Sequence, residues 1–456
     1  MPSAKFKQSL TLPVTPEEAF AWHERPGALD RLIPPWEKVA IESRGQGIRN
    51  GSQVILKNSL GPFGLRWLAE HRNYRYGHHF SDVQLAGPFS KWEHWHRFQP
   101  HPDGCVLVDE IEYQIPGGAV SRRLLKPFVE RKIARMFDFR HQTTLADIRT
   151  HAAHQEKGQL QIAISGSHGL VGSELLPLLT TGGHSAIRLV RNTGTSQDLL
   201  WDPHTTEFET AGLEGFDAVV HLAGENIAAG RWNRSRKDHI LTSRVEGTRT
   251  ISTILSQLKQ PPKVLVTASA VGFYGSRGDT ILDETSSPGD GFLANVAKQW
   301  EEATRPAREA GIRTVHLRFG MILSPKGGAL VKILPPFQWA AGGIVGTGRQ
   351  YWSWVALDDA AGMILHAIMN DSLHGPVNAV SPQPVTNLEF TQTLGHVLKR
   401  PTLLPMPSAL ARLVVGEMAD ELLLASARAT PAKLLNAGYH FRHPQLQEAL
   451  RGMLGR

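Results

Sequence analysis

A single cysteine, Cys105, serves all 456 residues, so disulfide frameworks and cysteine-based zinc sites within the chain are excluded. Long apolar runs are missing too. No uninterrupted stretch approaches membrane-spanning length, and the opening Met1-Pro-Ser-Ala-Lys-Phe-Lys-Gln-Ser-Leu lacks the apolar centre of a signal peptide. There is no dense Lys/Arg block: 49 basic against 42 acidic residues leave a net charge of +7. That modest excess speaks against nucleic acid as a partner and suits an anionic cofactor or substrate. Internal repeats and low-complexity tracts are absent. A cytoplasmic protein with no membrane partner is the expectation, with the oligomeric state left open. What is present, 41% hydrophobic and 20% charged residues, describes a folded globular chain long enough for two or three domains.

The polar run Asp147-Ile-Arg-Thr-His-Ala-Ala-His-Gln-Glu-Lys-Gly158 is the natural break. Before it, alternation dominates: Trp92, His94, His96 and Phe98 fall on one face of a strand, and Asp109 to Ile115 alternates similarly. Leu124 to Phe139 reads as a long amphipathic helix with Leu125, Phe128, Val129, Ile133, Met136 and Phe137 apolar. Strands closed by a helix make an α+β module over residues 1–150, with 151–158 as linker. After the break, short apolar runs (Ser185–Val190, Asp217–Leu222, Val264–Ala268, Thr314–Leu317) alternate with helical stretches such as Ser235–Lys259 and Leu293–Ala310. That alternation predicts a parallel, doubly wound α/β sheet over 159–385. Residues 386–456 read as a helical, leucine-rich extension.

The chemistry concentrates in Gly166, Gly169 and Gly172, which follow the apolar strand Leu160 to Ile164 and precede a helical pattern starting near Leu170. In this setting the first glycine permits a tight turn and the second lets backbone approach a pyrophosphate. The third allows close helix–strand packing, while the helix N-terminus offers N–H groups to the anion. Gly166, Ser167, His168, Gly169, Leu170, Val171 and Gly172 are therefore the candidate cradle. Tight NAD binders end the second strand in an acid; here Arg191 stands about 25 positions beyond Gly166, a guanidinium suited to a 2′-phosphate. NADP(H) is expected over NAD(H). Leu222, Ala223 and Gly224 after the third strand, and Ala268 in the fourth, are small or apolar positions where a dinucleotide can approach the carboxyl ends of the strands. No metal site is expected: His94 and His96 have no third ligand at suitable spacing, and His78-His79 point opposite ways.

Together these motifs resemble the extended short-chain dehydrogenase/reductase superfamily, the NAD(P)-dependent epimerase/dehydratase type. Ser165-Gly-Ser-His-Gly-Leu-Val-Gly172 is similar to its T-G-x-x-G-x-x-G loop and His221-Leu-Ala-Gly to its H-L-A-A strand end. Val245-Glu-Gly-Thr248 and Leu317-Arg-Phe-Gly320 resemble its N-V-x-G-T helix and L-R-x-x-x-V strand. Ser243-Arg244, Gly272-Phe-Tyr-Gly275-Ser-Arg-Gly-Asp279, Trp300-Glu301, Gly348-Arg-Gln-Tyr-Trp-Ser-Trp354 and Gly416-Glu-Met-Ala419 narrow the resemblance to an epimerase-like subgroup with a helical C-terminal extension. It implies a Rossmann-type domain. The N-terminal Pro26-Gly-Ala-Leu-Asp-Arg-Leu-Ile-Pro-Pro-Trp36, Gly87-Pro-Phe-Ser-Lys-Trp-Glu-His-Trp-His96 and the long helix resemble START-like (polyketide cyclase/dehydrase) domains. That likeness implies a helix-grip fold around an apolar ligand.

One departure matters. The superfamily works with a serine and a Tyr-x-x-x-Lys pair, in which the lysine lowers the tyrosine pKa for proton exchange during hydride transfer. Counting back from Glu301, Leu293 falls at the tyrosine and Ala297 at the lysine; Lys298 is adjacent but rotated by about 100° on a helix. Arg244 replaces a supporting asparagine, and Ser269 lies one residue early relative to Tyr274-Gly275. Either an enzyme has moved its proton donor to Ser269, Tyr274, Glu225 or Lys237, or the chain is a non-catalytic NADP(H)-binding ligand sensor. The Gln350–Trp354 block and Asp358-Asp359 look like a substrate pocket still maintained. The expected substrate is a small molecule with a reactive carbonyl or hydroxyl carbon.

Overall fold

A computed structural model describes residues 3–60, 63–191, 198–205 and 210–456. The chain divides into two compact units, one built mainly on residues up to Gly158 and one from Gln159 onward.

The first unit is a single seven-stranded sheet of β1 (Ala4–Leu12), β2 (Val39–Ser43), β3 (Gln53–Leu60), β4 (Phe63–Arg75), β5 (His79–Ala86), β6 (Lys91–His101) and β7 (Gly104–Gln114). Its order is β1-β7-β6-β5-β4-β3-β2, antiparallel throughout. Two short helices, α1 (Pro16–Glu24) and α2 (Ala28–Leu32), and a 35-residue helix α3 (Gly118–Ala152) complete it. The alternation read in β6 holds: Trp92, His94, His96 and Phe98 are all buried on the inner face. Trp92 and Phe98 belong to the packed core, Phe98 lying edge-on to Phe20 at 5.3 Å.

α3 departs from the sequence reading at both ends. Leu125 and Phe128, expected on the apolar face, are exposed, whereas Ile133 and Phe137 are buried. The polar break expected from Asp147 is helical as far as Ala152, and a 3₁₀ turn at Gln155–Lys157 follows. Asp147, where the break is read to begin, is a core residue of the first unit. It is fully buried against Arg31, whose guanidinium grips both carboxylate oxygens at 2.8 Å.

The second unit carries a parallel sheet of β8 (Gln161–Ser165), β9 (Ser185–Val190), β10 (Leu199–Leu200), β11 (Ala218–His221), β12 (Val264–Ala270), β13 (Arg313–Phe319) and β14 (Gly375–Ala379). Strand order is β10-β9-β8-β11-β12-β13-β14. Strands buried on both faces explain why they read as continuous apolar runs; β8 from Ile162 onward and the whole of β11 are buried. α4 (Leu170–Thr181), α5 (Arg234–Ser256) and α6 (Phe292–Glu302) are among the crossover helices. The helix expected over Leu293–Ala310 is two, because Pro306 cannot supply an N–H inside a continuous helix and instead sits in the first turn of Arg305–Glu309. The order reverses between β8 and β11, which opens a crevice at their carboxyl ends. Beyond Asn387 the chain is helical, as expected, but it also adds a strand residue pair, Arg428–Ala429, to Ile281–Leu282.

Candidate functional site

The glycine triplet lies where β8 turns into α4, at the strand-order switch. Gly166 takes a left-handed φ of +72°, and a Cβ there would stand 2.7 Å from the Leu222 carbonyl carbon and the Ala223 nitrogen. At Gly172 a Cβ would fall 2.4 Å from the Gly166 carbonyl oxygen. Both positions are closed to any side chain. Leu222, Ala223 and Ala268 are half-buried along the same strand ends, while His168, Gly169 and Gly224 are exposed. Ser165 lies beneath the loop in contact with the His221 ring, Oγ to Nδ1 at 2.6 Å. The Ser167 hydroxyl is buried in the loop with no hydrogen-bond partner among the described residues. An orphaned hydroxyl costs free energy, and in a phosphate cradle it has an evident use: donating to a pyrophosphate oxygen. The residues present thus fit a dinucleotide. Arg191 is exposed just past β9. Arg188, further inside that strand, is already forked onto Asp198 at 2.8 and 2.9 Å.

The candidate proton donors separate into two pairs. Ser269 is buried and donates to Glu301 Oε1 at 2.7 Å. Arg318 clamps the same carboxylate through Nε and Nη2, both at 2.7 Å. Its Nη1 donates to the Tyr274 hydroxyl at 3.0 Å, and that hydroxyl in turn donates to Asn378 Oδ1 at 2.7 Å. Tyr274 has no exposed surface, and burial raises its pKa despite Arg318 and Asn378. Ser269 and Tyr274 are tied into an interior network. Glu225 and Lys237 are partly exposed. Glu225 pairs with Arg236 at 2.7 Å; Lys237 pairs with Glu417 at 2.8 Å and lies over the Phe292 ring at 4.8 Å. Phe292 precedes Leu293 at the start of α6, where the backbone N–H groups of both donate to Glu421 at 3.1 Å.

Glu417 and Glu421 escaped the sequence reading as site residues, and Arg244, read there as replacing a supporting asparagine, takes a place at the strand ends. The Arg244 side chain lies beside Gly224, within 3.6 Å of where a Cβ would be, and over the Trp300 ring at 5.0 Å. Burial pushes its pKa down to about 10, against the pull of Glu225. Glu417 and Glu421 come from the C-terminal extension, and no spacing links them to α5 or α6. The Gln350–Trp354 block, read as substrate pocket, is spent on holding that extension. Gln350 and Trp352 donate to the Leu423 carbonyl at 3.0 and 3.2 Å, and Ser353 donates to the Ala427 carbonyl at 2.7 Å. Asp359 likewise accepts from the backbone N–H groups of Arg442 and His443 and from the Tyr439 hydroxyl. A cleft of about 580 Å³ lined by Arg313, Thr314, Gly375 and Pro376 sits at the amino ends of β13 and β14, the end opposite to the ligand crevice of such sheets.

A second polar constellation occupies the inner face of the N-terminal sheet. The register sets Asp82 of β5 opposite His94 of β6, and His96 opposite Asp109 of β7. His94 contacts Asp82 through Nδ1 and Asp109 through Nε2, each at 3.0 Å. Burial alone would lower its pKa, yet the two carboxylates carry it up to about 9. His141 of α3 meets Asp109 from the other side at 2.6 Å. The expectation of no metal set rested on a missing third ligand; strand pairing brings Asp82 to both histidines.

Residues 162–379 match the NAD dependent epimerase/dehydratase family, residues 12–139 the polyketide cyclase/dehydrase and lipid transport family, and residues 406–453 a domain of unknown function, DUF1731. An epimerase family protein of Mycobacterium leprae is 42% identical over 290 residues, 63% of this chain and 94% of that protein. The crystal structure described as a nucleoside-diphosphate sugar epimerase from Corynebacterium glutamicum is 33% identical, covers 99% of this chain and 90% of its own, and superposes with a TM-score of 0.81. A human epimerase family protein solved with NADPH is 34% identical over 65% of this chain and 99% of its own, with a TM-score of 0.61. Among the described residues no helix is long and apolar enough to cross a membrane.

Proposed function

Since the chain belongs to the NAD dependent epimerase/dehydratase family, we propose that it binds NADP(H) at the carboxyl edge of its parallel sheet and acts on a carbonyl or hydroxyl carbon of a small molecule, nucleotide-sugar-like or apolar. The observation that carries this reading is the Gly166–Gly172 cradle, closed to side chains at Gly166 and Gly172 and holding a Ser167 hydroxyl unpartnered among the described residues. When bound, the nicotinamide supplies or accepts the hydride. Loop N–H groups and Ser167 would hold the pyrophosphate, and Arg191 would pair with the 2′-phosphate, in keeping with the NADPH of the human relative. Arg244 beside Gly224 adds positive charge along the same edge. With Ser269 and Tyr274 committed to Glu301 and Asn378, Lys237 is the candidate to hold the exchanged proton at Nζ, backed by Glu417 and standing next to the helix start that carries Leu293. The N-terminal domain is read as taking an apolar small molecule.

Calorimetric titration tests the cofactor. NADPH is expected to bind at least tenfold more tightly than NADH, and Arg191→Ala to erase the preference. Equal or absent binding of both would sink the assignment. Turnover is tested by incubation with NADPH and a panel of carbonyl compounds and nucleotide sugars, following 340-nm absorbance and epimer composition. The commitment of both hydroxyls, with Leu293 and Ala297 in place of tyrosine and lysine, favours a second reading: a nucleotide-responsive sensor. Tight NADPH binding with silence across the panel would select it.

A further inference from the structure

We propose that Asp82, His94 and His96 form a binding site for a divalent first-row transition-metal ion in the N-terminal domain, with Asp109 orienting both imidazoles. The three side chains offer donor atoms that lie within 4.8 Å of one another. Each ring turns one nitrogen to Asp82 and the other to Asp109. His94 Nδ1 is 3.0 Å and His96 Nε2 3.7 Å from Asp82 Oδ2; His94 Nε2 is 3.0 Å and His96 Nδ1 2.8 Å from Asp109 Oδ1. That is the arrangement of metal-bound histidines, in which the far ring nitrogen is held by a carboxylate.

The His94 Nδ1–Asp82 approach at 3.0 Å is of hydrogen-bond length, and the His96 spacing is the one that favours ligation. His96 Nε2 at 3.7 Å from the carboxylate is beyond hydrogen-bond reach. Two donors bound to one ion at about 2.1 Å in tetrahedral geometry stand about 3.4 Å apart, so the same separation suits a shared metal. His96 Nδ1 also makes no aligned hydrogen bond despite its short approach to Asp109. The two histidines come from one strand with a single residue between them, so they share a face. Asp82 arrives by register from the neighbouring strand, and stacking of Phe80 on His96 at 4.2 Å fixes the second ring. His141 fills the remaining oxygen of Asp109 at 2.6 Å. Both histidines are buried, while the Asp82 side chain keeps 18% of its surface exposed, so the open coordination positions lie on its side. Two imidazoles and one carboxylate suit zinc, iron(II), cobalt(II) or manganese(II), and leave positions for water or an oxygen-donor ligand.

The test uses the tag-free full chain, stripped with chelator and titrated with cobalt(II) while visible absorption and bound metal after gel filtration are measured. One cobalt per chain is expected, displaced by zinc(II). His94→Ala and His96→Ala should each weaken uptake at least 100-fold, and Asp109→Asn, the positioning residue, about 10- to 100-fold. His78→Ala, at an exposed position outside the cluster, should change nothing. X-ray absorption on the wild-type cobalt form should show two imidazoles, a readout independent of whether the variants fold. Absence of stoichiometric uptake, a shell without imidazole, or equal uptake by the His94→Ala/His96→Ala double variant overturns the proposal.

Discussion

Each unit of this chain buries a polar cluster built from adjacent strands, and the two clusters differ in how completely they are matched. In the parallel sheet, Arg318 presents its fork to both oxygens of Glu301 and its remaining nitrogen to Tyr274, while Asn378 Oδ1 and the Asp283 carbonyl stand as acceptors for the tyrosine hydroxyl. Every donor meets an acceptor. In the N-terminal sheet, two carboxylates face His94, His96 and His141 with the Arg140 guanidinium also in their field, one imidazole nitrogen lacks an aligned partner among the described residues, and one carboxylate is partly exposed. A closed network holds a fold together; an under-matched one has capacity for a further group. Tyr274 and Ser269 have the right chemistry for catalysis but belong to the closed type.

The largest expected effect comes from opening the closed network. Arg318→Ala leaves Glu301 as a buried, uncompensated charge and should cost about 3–5 kcal/mol in denaturant unfolding of the second unit. A loss below about 1 kcal/mol would mean that the cluster is not closed, and would return Tyr274 and Ser269 to candidacy as proton donors. Next, Gly172→Ala drives a methyl group onto the Gly166 carbonyl. It should weaken NADPH binding at least 100-fold by calorimetry, the geometry of the cradle being its function; retained affinity would move the nucleotide elsewhere.

Acidification gives a third, smaller effect, shared by both units, since burial also holds His23 of the first unit down to about 4. Burial holds His221 and His316 down to a pKa of about 4. In the unfolded chain both take up protons near pH 6.5, whereas the folded chain refuses them until about 4. Stability from this source is therefore full above about 6.5 and is lost as pH falls towards 4, on the order of 1–3 kcal/mol. Thermal melts between pH 7.5 and 4.5 should show it, and His316→Gln should flatten the slope. Smallest are two capping boxes, one in each unit, at Thr15 and Thr386. Each Thr→Ala change should cost about 1 kcal/mol, read by denaturant midpoints. Unequal losses would show that the caps, like the clusters, depend on their unit.

What could be read without coordinates was whatever depends on neighbours in the chain. The glycine cradle, the alternation in β6 and the apolar runs of the parallel strands are local: a turn, a face, a buried strand. What could not be read depends on partners far along the chain. Asp147 looked like the start of a polar break because Arg31 lies 116 positions away. Leu125 and Phe128 share the periodicity of Ile133 and Phe137, and only packing decides which are covered. Ser269 and Tyr274 looked available because Glu301, Arg318 and Asn378 reach them only through sheet pairing and helix crossover.

By itself, then, the sequence determined the α/β class, the glycine loop between β8 and α4, and the presence of Leu293 and Ala297 where a Tyr-x-x-x-Lys pair is expected, since each is written in consecutive or periodic residues. Tertiary structure alone decided which polar groups are closed off and which stay open. It placed the Ser167 hydroxyl without a partner among the described residues, locked Ser269 and Tyr274 inside, and set Asp82 beside His94 and His96. The physical reason is that hydrogen bonding and ion pairing act over about 3 Å in space, whereas strand register and chain crossover set which residues come that close.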